Sequence, residues 1–584
     1  MMRNFMLRSK LALVVLFVLA LGRASAQEDD LFVPCQIMPQ LITNYNADLA
    51  SLRIAYIVEY SPERRARFEK LEKDYLDKLS KVDFNSLSQE CQVDYILFKK
   101  AREENLRLAK AEEQAAAKVN KWFPFADDIY AEEQFRRDGG EIPDSKAIAL
   151  RYADITKQIK ALRTDVQADE QLDVVDIYTA GNIIAGLKTA LNSAYEFYNG
   201  YDPLYTWWVP MPYEHLIEEL NGYAADFQSK LTSGRLQMDD SGIVGKPVGR
   251  DELINLLQAS FIPYTPEELI DIAMKEFAWC DAEALKASRE MGFGDDWKAA
   301  QEKVKETYVP AGGKPALIRR LFNESLDFMK AHDIVTIDPL AEEVWGLRMM
   351  SPERQLVNPF FTGGTSISIS YPTNTMEVED RMMSMRGNNP HFSRATVHHE
   401  SIAGHAYQRM MNNRFRSYRS FGTPFWTEGW ALYMEFVLYD MDFPQSPEDR
   451  LGMLFWRMHR CARIIFSLNY HLGNWTPQEC VDFLVDRVVF ERANAEAEVR
   501  RSFGLNITPL YQLAYMMGGL QFSGLKQELV DSGKMTLKEY HDAVLRLNAM
   551  PVEMVRAILT DQKLTKDFKT NWRFYEQGPF WQNK

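Results

Sequence analysis

Three of the nine histidines of the chain fall within eleven consecutive residues, 398–408. Glu400 directly follows His399, His405 lies six residues after His399, and Glu428 follows further along the chain. A catalytic zinc ion typically takes two imidazoles and one carboxylate, and it keeps its fourth position for water. A second carboxylate next to the ligands can take a proton from that water. The pattern therefore indicates a hydrolytic metal site.

The histidine spacing differs from that of the common His-Glu-x-x-His motif, in which the two ligands lie one helical turn apart. On a straight helix, His399 and His405 would point about 120° away from each other. Gly404 offers a correction, because a glycine can interrupt the helix and turn His405 back. His398 and His405 would share a helix face without distortion, but we favour His399, because Glu400 must stand beside a ligand to reach the water. The alternative is a helix interior whose histidines bond to backbone and carboxylate groups.

Amphipathic helices are predicted for most of the chain, because apolar residues recur three or four positions apart. Helical periodicity also returns after Asn389, so we expect a mainly α fold. The N-terminal segments with the clearest pattern are Ser61 to Val119, Asp144 to Ala168, Tyr213 to Leu231 and Thr265 to Met291, the last of which opens with the helix-start signature Thr-Pro-Glu-Glu.

One segment upstream of the histidines is predicted to form a β-strand. Thr365 to Tyr371 alternates polar and apolar residues after a Gly363-Gly364 turn, and Pro372 ends it. This small β element would lie near the active site. It could pair with an extended peptide substrate at its edge, or it could form a short hairpin that covers the cleft.

The first 26 residues have the pattern of a secretory signal peptide. Basic residues precede an apolar run from Leu11 to Leu21, and Ala24-Ser25-Ala26 is a small-residue cleavage site. The run is too short to span a bilayer comfortably, and no later stretch is long enough. We predict an exported protein, periplasmic or secreted, with no membrane span after cleavage. The alternative is a membrane anchor that stays uncleaved. A lipid anchor is not expected, because no Cys directly follows the cleavage site to carry the lipid.

With 584 residues, the chain is longer than a single core usually supports. We expect a signal peptide at 1–26, an N-terminal helical region at 27–340 that forms one wall of a cleft, and a catalytic helical region at 341–584. The net charge of −14 argues against a nucleic-acid partner, because phosphate binding needs a positive surface. The sequence does not predict the oligomeric state.

The five cysteines are few for an exported chain of this length. Cys35 could pair with Cys91, and Cys461 could pair with Cys480, although the odd number leaves at least one thiol over. Buried free thiols are the alternative to a bridge.

The sequence resembles the bacterial family known as domain of unknown function 885. The family signature, His-Glu-x-x-Pro-Gly-His-His followed by Glu-Gly-Trp-Ala-Leu-Tyr, is matched by His399 to Ala406 and by Glu428 to Tyr433. The resemblance continues towards the C-terminus in four further blocks, Arg460 to Arg463, His471 to Thr476, Glu498 to Arg500 and Tyr511 to Gly518.

The resemblance implies a zinc peptidase of the gluzincin type, with a large helical fold, a deep cleft and one Zn²⁺ per chain. The family role of metal ligand carries over to His399, His405 and Glu428, and that of general base carries over to Glu400.

Two positions depart from the family signature. Ala403 replaces the usual Pro, which leaves Gly404 to shape the bend alone. Ala406 replaces the second His of the pair, which leaves His405 as the downstream ligand candidate. Neither change removes an essential group, so we expect an active site.

Further candidates for the site come from the matched blocks and from helical spacing. Tyr515 and His471 are candidate donors to the oxyanion that develops during hydrolysis. Glu435 lies seven residues after Glu428, hence on the same helix face, where it could accept a hydrogen bond from a ligand histidine. Packing roles are the alternative for both oxyanion candidates.

Three arginines, Arg394, Arg463 and Arg500, are candidates for binding a substrate carboxylate, since a guanidinium group can grip it with two hydrogen bonds. Salt bridges on helix surfaces explain an arginine equally well.

The leading hypothesis is an exported zinc-dependent peptidase that hydrolyses short peptides. One alternative keeps the metal but hydrolyses a non-peptide amide, such as an acylated amino acid. Another is a non-catalytic exported binding protein on a peptidase scaffold, with a structural metal. Glu400 weighs against this last alternative, because structural zinc sites are usually closed by four protein ligands.

Overall fold

The structure is a computed structural model that describes residues 37–139, 142–232, 234–355, 366–504 and 507–576. The predicted signal peptide, Cys35, the Gly363-Gly364 turn and Thr365 lie outside the described residues. Among the residues it describes, no helix is both long enough and apolar enough to cross a membrane.

The prediction of a mainly α fold is confirmed, because helices account for most of the described chain. The four N-terminal segments predicted to be helical all contain helices at the expected places. The helices before the β element are α1 (Ile37–Ala55), α2 (Pro62–Ser80), α3 (Gln89–Val119), α4 (Ala126–Asp138), α5 (Ser145–Ala168), α6 (Val174–Tyr198), α7 (Pro203–Trp208), α8 (Pro210–Leu231), α9 (Arg250–Ala259), α10 (Pro266–Glu290), α11 (Trp297–Lys305), α12 (Lys314–Ala331) and α13 (Pro339–Glu343), with 3₁₀ turns at Phe84–Ser86 and Asn120–Trp122.

The second half of the chain holds the sheet and the helices that carry the candidate site. Its elements are β1 (Leu347–Met349), α14 (Pro352–Gln355), β2 (Ile367–Ile369), α15 (Val378–Gly387), α16 (Pro390–Glu400), α17 (His405–Arg414), α18 (Pro424–Asp440), α19 (Pro447–His471), α20 (Pro477–Val488), α21 (Arg492–Phe503), α22 (Tyr511–Lys526), a π-helical turn (Gln527–Asp531), α23 (Leu537–Arg546) and α24 (Val552–Leu559).

Helix starts follow the local chemistry of the sequence. Thr265 caps α10, because its hydroxyl accepts a hydrogen bond from the Glu268 backbone while the Glu268 carboxylate accepts one from the Thr265 backbone. This reciprocal capping box satisfies two backbone donors that a helix start would otherwise leave without partners. Asn389 caps α16 in a similar way, and Pro390 occupies the first helical position.

The predicted strand exists but is shorter than expected and is paired differently. β2 covers only Ile367–Ile369, and it runs parallel to β1 in a two-stranded sheet, with Leu347 opposite Ile367. The two strands therefore do not form the short hairpin that the sequence left open. All three β2 residues are buried.

Two apolar cores lie in the described chain. The smaller core is formed mainly by residues between Val119 and Leu231, in α4 to α8. The larger core takes residues from α1 to α3, from α9 to α12 and from the elements after β1. Helix α10 packs along α19, and α12 packs against α16. The N-terminal half thus supports the second half of the chain, including α16, which carries His399.

The possible bridge between Cys461 and Cys480 is not formed, and the alternative of buried free thiols is confirmed for both residues and for Cys280. Cys91 is disulfide-bonded. Cys461 belongs to α19 and Cys480 belongs to α20, and the Cys480 sulfur faces the backbone carbonyl of Phe466.

Helices α18 and α22 approach each other unusually closely at two glycines. A β-carbon built on Gly518 would lie 2.2 Å from the carbonyl oxygen of Phe425 and 2.7 Å from Cα of Gly429. A β-carbon on Gly429 would lie 2.5 Å from Cα of Gly518. The absence of both side chains therefore sets the distance between the two helices.

We expect Gly518→Ala to destabilise the protein by about 3 kcal/mol, because the added methyl group must push two backbones apart. The matched control is Gly181→Ala, which lies inside α6 and whose β-carbon would meet nothing within 4 Å. That change should stabilise the protein by up to about 1 kcal/mol through helix propensity. Urea unfolding midpoints measure both effects, and equal midpoints for the two variants would show that the glycine contact is not tight.

Candidate metal centre

The helix that carries His399 is interrupted where the sequence pattern predicted it. α16 ends at Glu400, four residues form a loop that contains a cis peptide bond between Ile402 and Ala403, and α17 begins at His405. A β-carbon on Gly404 would lie 1.8 Å from the carbonyl oxygen of His399. Only glycine allows this approach, and the loop turns His405 back towards His399, with 4.7 Å between their ring centroids.

Helix α18 holds this loop in place. The indole Nε1 of Trp430 donates a 2.7 Å hydrogen bond to the carbonyl oxygen of Ala403. Gln408, one turn into α17, donates from its side chain to the carbonyl oxygen of Trp426 at 3.3 Å. The loop and the first turn of α17 are therefore tied to the helix that carries Glu428.

The structure brings His399, His405 and Glu428 together. One potential ligand atom from each lies within 4.8 Å of the others. Oε2 of Glu428 is 3.4 Å from Nε2 of His399 and 3.1 Å from Nε2 of His405. Around a tetrahedral zinc ion with bonds of about 2.0–2.1 Å, neighbouring ligand atoms lie about 3.3 Å apart. The donor set and these distances therefore fit a single zinc-sized ion.

A further carboxylate orients the first histidine. Nδ1 of His399 donates a 2.7 Å hydrogen bond to Oε1 of Glu435, which leaves Nε2 directed towards Glu428. Arg460 lies 3.8 Å from the same Glu435 oxygen. Carboxylate–histidine pairs of this kind fix the ring and its tautomer in metal sites. The expected contact of Glu435 is thus present.

The electrostatics of the cluster favour a cation among these groups. Burial would raise the pKa of Glu428, but His405 and His399 hold it well below its usual range. Burial would lower the pKa of His399, yet Glu428 and Glu435 raise it to about 9, and Glu428 likewise raises that of His405. The two carboxylates thus stabilise positive charge at the imidazoles. A metal ion bound in place of the protons would supply the same positive charge.

Glu400 lies at the end of α16 and is half-buried. Its negative charge acts on both His399 and His405, whose pKa values it helps to raise, although burial and Glu428 have larger effects. His398 faces the other way, towards the ring of Phe443 at 5.7 Å, and burial lowers its pKa to about 4. The structure therefore groups His399, and not His398, with His405.

Two tyrosines of α22 extend the site. The hydroxyl of Tyr511 donates a 2.8 Å hydrogen bond to Oε1 of Glu428, and the Tyr515 hydroxyl lies 3.2 Å from that of Tyr511. The Tyr515 ring stacks on the ring of His399 at 6.2 Å. Burial, with the charge of Glu428, raises the pKa of Tyr515, so its hydroxyl keeps its proton at neutral pH.

Comparison with known proteins confirms the predicted family. The family described as "Bacterial protein of unknown function (DUF885)" matches residues 54–559. The chain belongs to this family. No curated protein matches it in sequence.

Two solved bacterial structures share the fold of this DUF885 member. One is a "putative lipoprotein of unknown function" from Shewanella oneidensis, with a TM-score of 0.63, 15% identity, and coverage of 90% of this chain and 100% of the other. The second, described as a "putative lipoprotein", comes from Colwellia psychrerythraea, with a TM-score of 0.57, 15% identity, and coverage of 90% of this chain and 98% of the other. At this identity the likeness concerns the fold alone.

The Glu-Gly-Trp-Ala-Leu-Tyr block of the DUF885 signature now has a structural reading. Glu428 lies in the cluster of His399, His405 and Glu428, which we call the metal cluster. Gly429 allows the close contact with α22, and Trp430 bonds to the loop at 401–404. Tyr433 donates to Nε2 of buried His541 at 2.8 Å. One short motif therefore supplies a candidate ligand and contacts that fix α18 against the neighbouring elements.

Other candidates lie outside the cluster. His471 ends α19, eleven residues beyond Arg460 and so about 16 Å along the helix. It packs near Phe503, and burial lowers its pKa to about 4. The structure thus does not bring His471 to the ligands, because it lies too far along the helix.

The three candidate arginines have different surroundings. Arg394 is buried between the carboxylates of Glu324 and Asp449, at 2.9 and 3.1 Å. Its charge is therefore already paired within the protein and is not available for a substrate carboxylate. Arg500 is exposed on α21. Arg463 alone lies by the site, with its guanidinium carbon 4.5 Å from the Tyr515 ring centroid.

Sequence reasoning missed Tyr511 as a site residue, although it stood in a block that matched the family. Its spacing of four residues from Tyr515 places both on one face of α22. That spacing was a usable signal. The contact of Tyr511 with Glu428 spans 83 positions, however, and only the folded structure reveals it.

We expect Glu435→Gln to weaken metal binding about 10- to 100-fold, because an amide is a poorer acceptor for the His399 ring N–H than a carboxylate. The matched control is Glu276→Gln, a buried carboxylate that accepts from Arg457 and Tyr575 instead of from a metal-cluster residue. Competition with a chromophoric chelator gives the zinc dissociation constants. Equal affinities for both variants and wild type would contradict the assigned role of Glu435.

Proposed function

We propose that this DUF885 protein is a zinc-dependent peptidase. The proposal depends on one observation, the convergence of His399, His405 and Glu428 within 4.8 Å beside Glu400. Three protein ligands leave a coordination position open for water and substrate, which is the pattern of catalytic zinc sites. A zinc ion held by these three residues would lower the pKa of a water molecule and polarise the scissile carbonyl group.

Glu400 is proposed to act as the general base. Its carboxylate takes a proton from the attacking water as the water oxygen bonds to the carbonyl carbon. The same carboxyl group then passes the proton to the amine nitrogen as the C–N bond breaks. The half-exposed position of Glu400 at the end of α16 gives it access to both groups.

Tyr515 is proposed to donate to the oxyanion. The proton of Tyr511 is committed to Glu428, so in the Tyr511–Tyr515 pair the hydroxyl of Tyr515 is the donor. When a substrate oxygen approaches, the Tyr515 proton can turn to it. A donor already fixed by stacking on His399 needs little reorganisation during the reaction.

Export is part of the proposal. The N-terminal 26 residues have the pattern of a signal peptide. Both solved structures of similar fold are described as "putative lipoprotein", which is consistent with a place outside the cytoplasm. We therefore propose a periplasmic or secreted peptidase.

Metal analysis and peptide cleavage test the function together. Purified protein lacking residues 1–26 should contain one zinc ion per chain and should cut peptides in a mixed library analysed by mass spectrometry. Cleavage should disappear with a chelator and return with added zinc. Zinc without any peptide cleavage would contradict the peptidase and leave a non-peptide amide or a ligand-binding role, whereas absence of metal would contradict the ligand assignment.

A further inference from the structure

Three arginines lie around Tyr515. Arg460 and Arg463 belong to α19, and their guanidinium carbons lie 5.0 and 4.5 Å from the Tyr515 ring centroid. Arg501 of α21 reaches the same place, since its charge and that of Arg463 act on each other and on Tyr515. We call Arg460, Arg463 and Arg501 the arginine group.

Two carboxylates face the arginine group. Glu498 accepts a 2.7 Å hydrogen bond from Nε of Arg463 and lies 3.2 Å from Nη2 of Arg501. Burial would raise the pKa of Glu498, but these arginines hold it far below its usual range. Glu435 lies 3.8 Å from Arg460 and already accepts from His399.

The charges of this region do not balance. Three guanidinium groups have two carboxylates within 4 Å, Glu435 and Glu498, and Glu435 also accepts from His399, while the charge of Glu428 acts on Arg460 from further away. His459 adds no positive charge, since burial and Arg463 hold its pKa well below the usual value. The side chains of Arg460 and Arg463 are only 5% and 6% exposed. A buried charge is costly unless it is well paired, so Arg460 and Arg463 would gain from a further anion, whereas the Arg501 side chain is 46% exposed.

Individual hydrogen-bond donors show the same deficit. Nε of Arg460 and Nη1 of Arg463 are buried and have no hydrogen-bond partner among the described residues. Buried N–H groups in proteins are nearly always paired. By contrast, the buried Arg419 faces two carboxylates, those of Asp94 and Glu90. The arginine group lacks such a complement.

We propose that the arginine group binds a carboxylate of the substrate close to the scissile bond, which makes the enzyme selective for peptides that carry a free carboxylate at that position. This inference rests on the proposed peptidase function. Guanidinium groups bind carboxylates through paired, charge-assisted hydrogen bonds. Tyr515 and Glu435 each contact both His399 and a member of the arginine group, so the two are close neighbours, and an extended residue spans about 3.5 Å. The carboxylate therefore belongs to a position one or two residues from the cleaved bond.

Two sources can supply this carboxylate, the C-terminus of the peptide or an Asp or Glu side chain. The test compares one efficiently cleaved peptide in three forms: with a free C-terminus, with a C-terminal amide, and as an amide with Glu next to the cleaved bond. We expect kcat/KM to be about 10- to 100-fold higher for the free acid than for the plain amide. Acetylation of the N-terminus should change little.

Each result has a defined meaning. A preference for the free acid supports the proposal with the C-terminus as the source, and recovery by the Glu-containing amide supports it with the side chain as the source. Equal cleavage of all three peptides overturns this inference but leaves the peptidase standing. Failure of the wild-type enzyme to cleave any library peptide instead overturns the proposed function, and this inference with it.

Variants locate the effect. Arg463→Gln should bring the ratio of acid to amide cleavage close to one, and Arg501→Gln, whose side chain is 46% exposed, should lower it several-fold without a folding defect. Arg492→Gln is the control, because Arg492 lies on the same helix but pairs with Asp482 at the surface. Its ratio should equal that of wild type. An unchanged ratio in the folded Arg501→Gln and Arg463→Gln enzymes would overturn the assignment.

Binding gives a readout that does not depend on turnover. Labelled free-acid and amide peptides can be titrated into zinc-loaded Glu400→Gln protein and followed by fluorescence anisotropy. The free acid should bind about 10-fold or more tightly than the amide. Equal dissociation constants would contradict the arginine group as a carboxylate site.

Discussion

Replacing Glu400 by Gln is expected to slow peptide hydrolysis by about 10²- to 10⁴-fold while zinc remains bound. The amide has nearly the same shape as the carboxylate, but it cannot take a proton from the attacking water. The residue is not one of the three that converge as ligands, so the metal cluster keeps all its donors. Initial rates on a cleaved library peptide and metal content of the same sample check both parts.

The control for this experiment is Glu379→Gln, which removes an exposed carboxylate on α15. It should leave both rate and zinc content at wild-type values. If Glu400→Gln retained the full rate, another base would have to operate and the proposed mechanism would be wrong. If it lost zinc, Glu400 would instead be a ligand.

Replacing His405 by Ala should lower zinc affinity by more than the roughly 100-fold upper limit expected for an outer partner such as Glu435. His405 offers one of the three converging ligand atoms, and its Nε2 lies 3.1 Å from Oε2 of Glu428. Alanine leaves two ligands and a cavity at the start of α17. Peptide hydrolysis should fall to the background of the metal-free protein.

His398→Asn is the matched comparison, because it changes the histidine that faces Phe443 and not the cluster. This variant should still bind one zinc ion. Loss of zinc from His398→Asn would favour the rejected alternative, in which His398 binds the metal together with His405 in place of His399. Inductively coupled plasma mass spectrometry of dialysed samples decides between them.

The parts of the molecule that the sequence predicted are those set by local chemistry. The capping residues at Thr265 mark the start of α10 within one residue, and apolar spacing locates the long helices. The interruption between His399 and His405 follows from Gly404, which is the one residue there that tolerates contact with the His399 carbonyl group.

The rest depends on contacts between distant segments. Nothing near Arg394 in the sequence indicates that Glu324 and Asp449 occupy its charge, so its predicted role in substrate binding had no local contradiction. His471 stood in a matched block, but helix length separates it from the ligands. Arg501 comes close to Arg463 only because α21 packs beside α19 in the folded chain, which its position in the sequence does not indicate.

The buried thiols have a consequence for making the protein. Once the chain has folded, Cys280, Cys461 and Cys480 lie in the interior, where oxidants cannot reach them. Before folding, all three are free to compete for the correct partner of Cys91 by thiol–disulfide exchange. Refolding under strongly oxidising conditions should therefore give scrambled, inactive material. Refolding in a redox buffer that allows exchange should recover the native pairing with three protected thiols.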